Sequence, residues 1–179
     1  SSGALSATAS GGAMSLGVNS YFKSSASTLS ATGNTITLAG DATNPSYFDA
    51  SGDLTAIASS GALTLGQKSY FLSGGDILAR ASANVDIGGG AGTKTAYMSA
   101  ATGSITINGG ASTDIAKFIL RGASYLSARD EIVVKAVNGY TLEANSYIDN
   151  STLLGSDDIT LTPNGTSTAA MTLAANSYV

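Results

Sequence analysis

The 179-residue chain contains no histidine, no cysteine and no tryptophan. Without cysteine there is no disulfide framework, no thiolate nucleophile and no cysteine-type zinc site. Without histidine, nucleophilic triads of the Ser-His or Cys-His type are excluded as well. Charge is sparse: 8 basic against 12 acidic residues leave a net charge of −4, and no basic stripe stands ready for nucleic acid. No apolar run approaches the roughly 20 residues of a membrane helix, so membrane insertion is not expected. The chain opens on Ser1-Ser2-Gly3 and closes on Tyr178-Val179, and the expectation is a fragment of a longer chain. Disordered chains pair low hydrophobicity with high net charge. Here the charge is low and the apolar residues are regularly placed, so order is expected.

What the chain does have is a repeat. A serine or alanine, then a tyrosine, then a large apolar residue recurs seven times: Ser20-Tyr21-Phe22, Ser46-Tyr47-Phe48, Ser69-Tyr70-Phe71, Ala96-Tyr97-Met98, Ser124-Tyr125-Leu126, Ser146-Tyr147-Ile148 and Ser177-Tyr178-Val179. The steps between tyrosines are 26, 23, 27, 28, 22 and 31 residues. A period of this length means one supersecondary unit stacked on copies of itself, each burying its neighbour's apolar face.

Two further strand signals stand between the tags. One alternates an apolar residue with small ones, as in Leu54-Thr55-Ala56-Ile57-Ala58 and Ile77-Leu78-Ala79-Arg80-Ala81. The other is a pair of large apolar residues two apart: Met14/Leu16, Ile36/Leu38, Leu63/Leu65, Val85/Ile87 and Ile105/Ile107. Alternation of period two sends these side chains to one face of a strand and Ser or Thr to the other. Turn residues such as Ser10-Gly11-Gly12 and Ser51-Gly52-Asp53 separate the runs. The spacing predicts an all-β solenoid, or β-helix, of about 25 residues per coil, running as one repetitive segment over residues 1–179. Regularity slips near 109–123, where Ala111–Arg121 reads as a helical turn or as a strand with a side excursion. Charges gather between Asp114 and Asp158, as a salt-bridged surface or, alternatively, as a receptor-contact region.

Each unit offers few large apolar side chains, and other inward positions fall on alanine. Each Ala in place of a buried Leu forfeits about 2 kcal/mol or more, so the cross-section must be narrow. An interior shared by three chains about a threefold axis fits that demand, and a homotrimer is expected; a thin monomeric solenoid is the alternative. Tyr21, Tyr47, Tyr70, Tyr97, Tyr125, Tyr147 and Tyr178 are expected to form a structural ladder, with Tyr21, Tyr47, Tyr70 and Tyr97 in one column. The competing reading is an aromatic ladder that stacks on sugars.

Other motifs point to turns rather than chemistry. The cluster Gly88-Gly89-Gly90-Ala91-Gly92-Thr93-Lys94-Thr95 approaches a phosphate loop, but Thr93 interrupts the required Gly-Lys and no helix follows. Gly52-Asp53 and Gly75-Asp76 lack the nonapeptide of calcium-binding solenoids. Neighbouring carboxylates such as Asp130/Glu131 and Asp157/Asp158 diverge on a strand, although stacking can bring carboxylates of different coils together. Asn150-Ser151-Thr152 and Asn164-Gly165-Thr166 match glycosylation acceptors, a frequent coincidence in a chain rich in Ser and Thr. No catalytic, cofactor or metal residue is assigned; no cofactor is expected, and the chain is not expected to be an enzyme.

The phrase Ala50-Ser51-Gly52-Asp53-Leu54-Thr55-Ala56-Ile57-Ala58-Ser59-Ser60-Gly61-Ala62-Leu63-Thr64-Leu65 resembles the β-helical shafts of tailed-phage fibres and spikes. It also resembles the repeats of filamentous-haemagglutinin-type adhesins, although those run nearer twenty residues and lack the tyrosine tag. The likeness spans most of the chain but is compositional. The phage resemblance implies a homotrimeric, non-enzymatic rod in the virion tail. It implies other tail proteins as partners, and a tip outside this segment that meets glycans or proteins of the host surface. The adhesin resemblance implies a stalk on a bacterial cell surface. A polysaccharide-degrading tailspike is a third expectation.

Overall fold

The structure is a computed structural model that describes residues 2–89, 95–110, 114–150, 158–162 and 170–179. The chain winds through successive coils of three short strands. The first coil is β1 (Leu5–Thr8), β2 (Met14–Leu16) and β3 (Tyr21–Ser24); the second is β4 (Leu29–Gly33), β5 (Ile36–Leu38) and β6 (Tyr47–Ala50). Then come β7 (Leu54–Ala58), β8 (Leu63–Gly66) and β9 (Tyr70–Ser73), followed by β10 (Ile77–Ala81), β11 (Val85–Gly89) and β12 (Tyr97–Ala100). The fifth coil is β13 (Ile105–Asn108), β14 (Phe118–Leu120) and β15 (Tyr125–Ala128), and the sixth is β16 (Ile132–Val134), β17 (Tyr140–Leu142) and β18 (Tyr147–Asp149). The last contains β19 (Ile159–Leu161), β20 (Met171–Leu173) and Tyr178, which bridges Tyr147.

Each strand pairs in parallel with its counterparts one coil away, giving two seven-stranded sheets and one of six. In a parallel stack like residues face like residues, and the register is regular: Leu29, Leu54, Ile77, Ile105, Ile132 and Ile159 form one column. The fold is thus a β-solenoid without helix among the described residues. Why strands form is visible in the burial: Leu54–Ala58 and Ile77–Ala81 alternate buried and half-buried positions without a break.

The inward side chains of one chain close the core. Leu38, Phe48, Leu54, Leu65, Phe71 and Ile87 are all at 0% exposure with no second chain present. Full burial of such a side chain is worth about 1.5–3 kcal/mol. Sharing the interior about a threefold axis is therefore not needed to bury it.

One strand assignment differs from the sequence reading. Ile105-Thr106-Ile107, grouped by its apolar pair with Val85/Ile87, lies instead in the first sheet, beside Ile77–Arg80. The second-sheet strand of that coil is Phe118–Leu120, paired with Val85–Ile87. Of the two readings of the stretch 111–121, a helical turn or a strand with a side excursion, the strand is what its described part shows, with Phe118–Leu120 as β14 and Ile115 bridging Ala136; residues 111–113 lie outside the described residues.

Candidate functional site

The tags open the third sheet. In the five tags from Tyr47 to Tyr147 the residue after tyrosine is buried, Phe48, Phe71, Met98, Leu126 and Ile148, so the tyrosine faces out. In-register pairing then sets Tyr21, Tyr47, Tyr70, Tyr97, Tyr125, Tyr147 and Tyr178 in one column. Successive ring centroids are 4.7 to 5.2 Å apart and the planes lie within 1° to 7° of parallel. Offset aromatic pairs at such distances contribute about 0.5–1.5 kcal/mol each beyond their burial.

This geometry bears on what the column can bind. A sugar stacks on the face of an aromatic ring, and inside the column each face is turned to the next tyrosine. The two end rings are the most exposed of the seven, Tyr21 at 57% and Tyr178 at 53%. The column presents ring edges and hydroxyls to solvent. Partial burial raises the phenols: Tyr70 is pushed up to about 12, by burial first and then by Tyr97, Tyr47 and Asp49. Tyr125 is likewise pushed up to about 12, by burial and by the neighbouring Tyr97 and Tyr147. Burial raises Tyr97 and Tyr147 too. Burial thus favours the neutral form of these four stacked rings.

A tight corner delivers the tyrosine, and the sequence reading did not include it. In five coils a leucine precedes the tyrosine by five residues: Leu16, Leu65, Leu120, Leu142 and Leu173. The residue two before the ring is left-handed in each, at Asn19, Lys68, Ala123, Asn145 and Asn176, with φ between 53° and 61°. The next residue's N–H closes a turn three residues back, as Ser69 to Gly66, Ser124 to Arg121 and Ser146 to Glu143. The tag serines Ser46, Ser69, Ser124 and Ser146 are buried, and the hydroxyl satisfies the corner: Ser69 Oγ donates to the Leu38 carbonyl at 3.1 Å and accepts from the Gly40 N–H at 3.0 Å. Ser146 Oγ donates to the Glu143 carbonyl at 2.6 Å. A buried hydroxyl without such partners would cost about 1–3 kcal/mol.

No known protein family, curated protein or solved structure matches the chain.

Other polar groups tie coil to coil or brace a single corner. At the corner into the first sheet, Asp53 Oδ1 accepts the N–H of Asp76 at 3.0 Å. Asp76 Oδ1 accepts that of Ser104 at 2.8 Å, and Ser104 Oγ that of Glu131 at 3.2 Å. Glycine makes room for this ladder: a Cβ on Gly75 would collide with Oδ1 of Asp53, and one on Gly103 with Oδ1 of Asp76. The Gly-Asp pairs are thus corner devices. On the wide corner before Tyr47, the Asp41 carboxylate accepts N–H groups of Thr43 and Asn44, both at 2.7 Å, which hold its carboxyl below the usual range.

Stacking does bring distant charges together. Arg121 grips Asp86 with Nε and Nη2 at 2.8 and 2.7 Å, and donates from Nη1 to Glu143 at 3.1 Å. The hydrogen bonds to Asp86 hold the guanidinium charged even more firmly than usual. Lys23 pairs with Asp49 at 2.6 Å on the surface beside the tyrosines. Tyr140, outside every tag, is a core residue at 2% exposure; its hydroxyl donates to the Val134 carbonyl and accepts the N–H of Ala136. Among the described residues no group of three or more Asp or Glu is arranged to hold a metal ion. Residues 90–94 of the glycine cluster, Asp157 and the acceptor positions at 151–152 and 164–166 lie outside the described residues.

Proposed function

We propose that the chain is a non-enzymatic shaft segment of an extracellular fibre, as in the tail fibres and spikes of tailed phages. The observation that carries this reading is the use of the outward polar groups. Asp53, Asp76, Ser104 and the Arg121 ion pairs connect one coil to the next, and the tyrosine faces close on one another. Such a surface stiffens a spacer and offers little to a substrate. A homotrimer of this shaft is three complete rods side by side, each with its own core. The second reading, a stalk on a bacterial surface adhesin, rests on the same rod.

Gold-labelled antibody against the chain distinguishes the two in electron micrographs. Label on virion tails is expected. Label on bacterial cells with bare virions would move the assignment to the adhesin, and label on neither would sink both. The non-enzymatic part is tested by incubating the protein with bacterial surface polysaccharide, which should stay intact. Depolymerisation that disappears in Asp86→Asn or Glu143→Gln would replace the shaft with a polysaccharide-degrading spike.

A further inference from the structure

The chain has no cysteine and no tryptophan, so tyrosine is the side chain that gives up a single electron most readily. Seven of its eight tyrosines stand in the column, and Tyr140 lies apart from them in the core. The five inner rings, Tyr47, Tyr70, Tyr97, Tyr125 and Tyr147, are half-buried, and each has a neighbour on both faces. Among them the ring centroids are 4.7, 4.9, 4.8 and 4.9 Å apart in order, and successive planes lie within 1° to 3° of parallel. Parallel strands in register set like atom against like atom. Each ortho carbon, beside the carbon that carries the hydroxyl, therefore faces the ortho carbon of the next ring. In a phenoxyl radical the unpaired electron resides on those carbons as well as on the oxygen. The rings brought together in this way come from residues 22 to 28 positions apart in sequence.

We propose that the column is a site of oxidative cross-linking, in which tyrosines of successive coils are joined by a carbon–carbon bond as dityrosine. The oxidant is hydrogen peroxide acting through a haem peroxidase, which removes electrons one at a time. Two neighbouring phenols each give up one electron and one proton. The radicals couple through their facing ortho carbons, and the hydrogen on each of those carbons then moves to its own ring oxygen, which restores both aromatic rings. The peroxide takes up the two electrons and two protons and leaves as two waters. Coupling requires the two rings to hinge toward each other, and they stand on the outward face of the sheet, where such a turn disturbs no core residue. Held one coil apart, the radicals meet as an intramolecular pair instead of by diffusion. The bond braces a rod that has no disulfide, and it restricts the unfolded chain as any cross-link does. The inference rests on the ring column and not on where the rod is used, so its failure would leave the shaft reading standing.

Treatment of the dilute full chain with a haem peroxidase and hydrogen peroxide tests it. Dityrosine fluorescence should appear in protein that stays monomeric and has lost two hydrogens for each bond formed. Peptide maps should join tyrosines of adjacent coils, as Tyr47 to Tyr70 or Tyr97 to Tyr125, and Tyr140 should remain unlinked. Tyr97→Phe keeps a ring in the stack and removes its phenol, so circular dichroism should match the parent. In that variant the links from position 97 to Tyr70 and Tyr125 should vanish, while those of Tyr47 with Tyr70 and of Tyr125 with Tyr147 persist. Urea melts of the cross-linked monomer should shift to higher urea, and an unchanged midpoint would overturn the bracing role of the bond. The absence of dityrosine overturns the proposal. So do bonds that form mainly between molecules, that join tyrosines two or more coils apart, or that involve Tyr140 as often as the column.

Discussion

The coils before and after β12 fill the same interior in different ways. In the earlier coils the first sheet contributes alanine at its second inward position, Ala31, Ala56 and Ala79, while the third sheet contributes Phe48, Phe71 and Met98. In the later coils the same first-sheet column continues as Ile107 and Val134, and the third sheet falls to Leu126 and Ile148. The second sheet gains at the same point, with Phe118 and Tyr140 where Leu63 and Val85 stood. Bulk has moved around the ring while the in-register pairing of the inward columns was kept, the one shift among the described residues lying between Ile87 and Gly89 at the end of β11. The backbone fixes the spacing of coils, and the side chains of each coil need only fill the area they enclose. Volume-conserving exchange is the kind of change a packed core tolerates best.

The largest disturbance is a charge inside. Leu65→Asp would bury an unpaired carboxylate at a position now at 0% exposure, costing several kcal/mol and disrupting the adjoining coils. Thr64→Ser, on the outer face of the same strand, should stay within about 0.5 kcal/mol, as surface changes generally do. Urea melts of the two variants provide the measurement; equal losses would mean that the inward and outward faces are misassigned.

Exchange of bulk within one coil tests the comparison itself. Phe71→Leu should cost about 1–2 kcal/mol as a cavity, and Ala56→Val about 1–3 kcal/mol as overpacking. Together they carry the third coil toward the later pattern, so the double variant should be more stable than the sum of the two losses by at least about 0.5 kcal/mol. Strict additivity would show that the coils do not trade volume.

Much of this was legible in the sequence because a parallel stack repeats its chemistry at a constant phase. The tags gave the third sheet, and pairs such as Leu63/Leu65 and Val85/Ile87 gave the second. The grouping of Ile105/Ile107 failed because two apolar residues two apart occur in both remaining sheets. The distance from the preceding tag would have separated them, since Leu29, Leu54, Ile77, Ile105 and Ile132 all start seven or eight residues after a tyrosine. Asparagine hinted at the left-handed corner, but Lys68 and Ala123 hold the same conformation with no such preference of their own, which makes it a product of context. The Arg121 ion pairs lay beyond reach because Asp86 and Glu143 stand 35 and 22 residues away, and only the stacking register brings them together.

Those ion pairs distinguish the later coils in a second way, since three successive coils are joined there by side chains. Arg121→Ala should cost about 1 kcal/mol, with the difference shrinking as salt is raised, because all three groups are partly exposed. Loss of the salt dependence in the variant is the sign to look for. At neutral pH the smallest effect belongs to the tyrosines. Between pH 10 and about 12 an unfolded chain releases protons that folded Tyr70 and Tyr125 retain, so their contribution to stability should hold steady from neutral pH to 10 and fall across that window. Thermal melts against pH, with tyrosinate absorbance recorded alongside, would show both. Titration of Tyr70 and Tyr125 at the ordinary phenol value would mean that those rings are not packed as described.

The constant register has a consequence for how such a molecule can change over generations. Neighbouring strands in a sheet lie about 4.7–4.9 Å apart, and each coil adds one such step. Duplicating or deleting a whole coil would lengthen or shorten the rod by that step and leave its cross-section untouched. Removing a single residue from Tyr70–Ser73 would swap its inward and outward faces, sending Phe71 to solvent. Lineages are therefore free to vary the chain in whole-coil insertions and in the length of its corners, while the strands themselves count residues strictly: it is a ruler marked in coils.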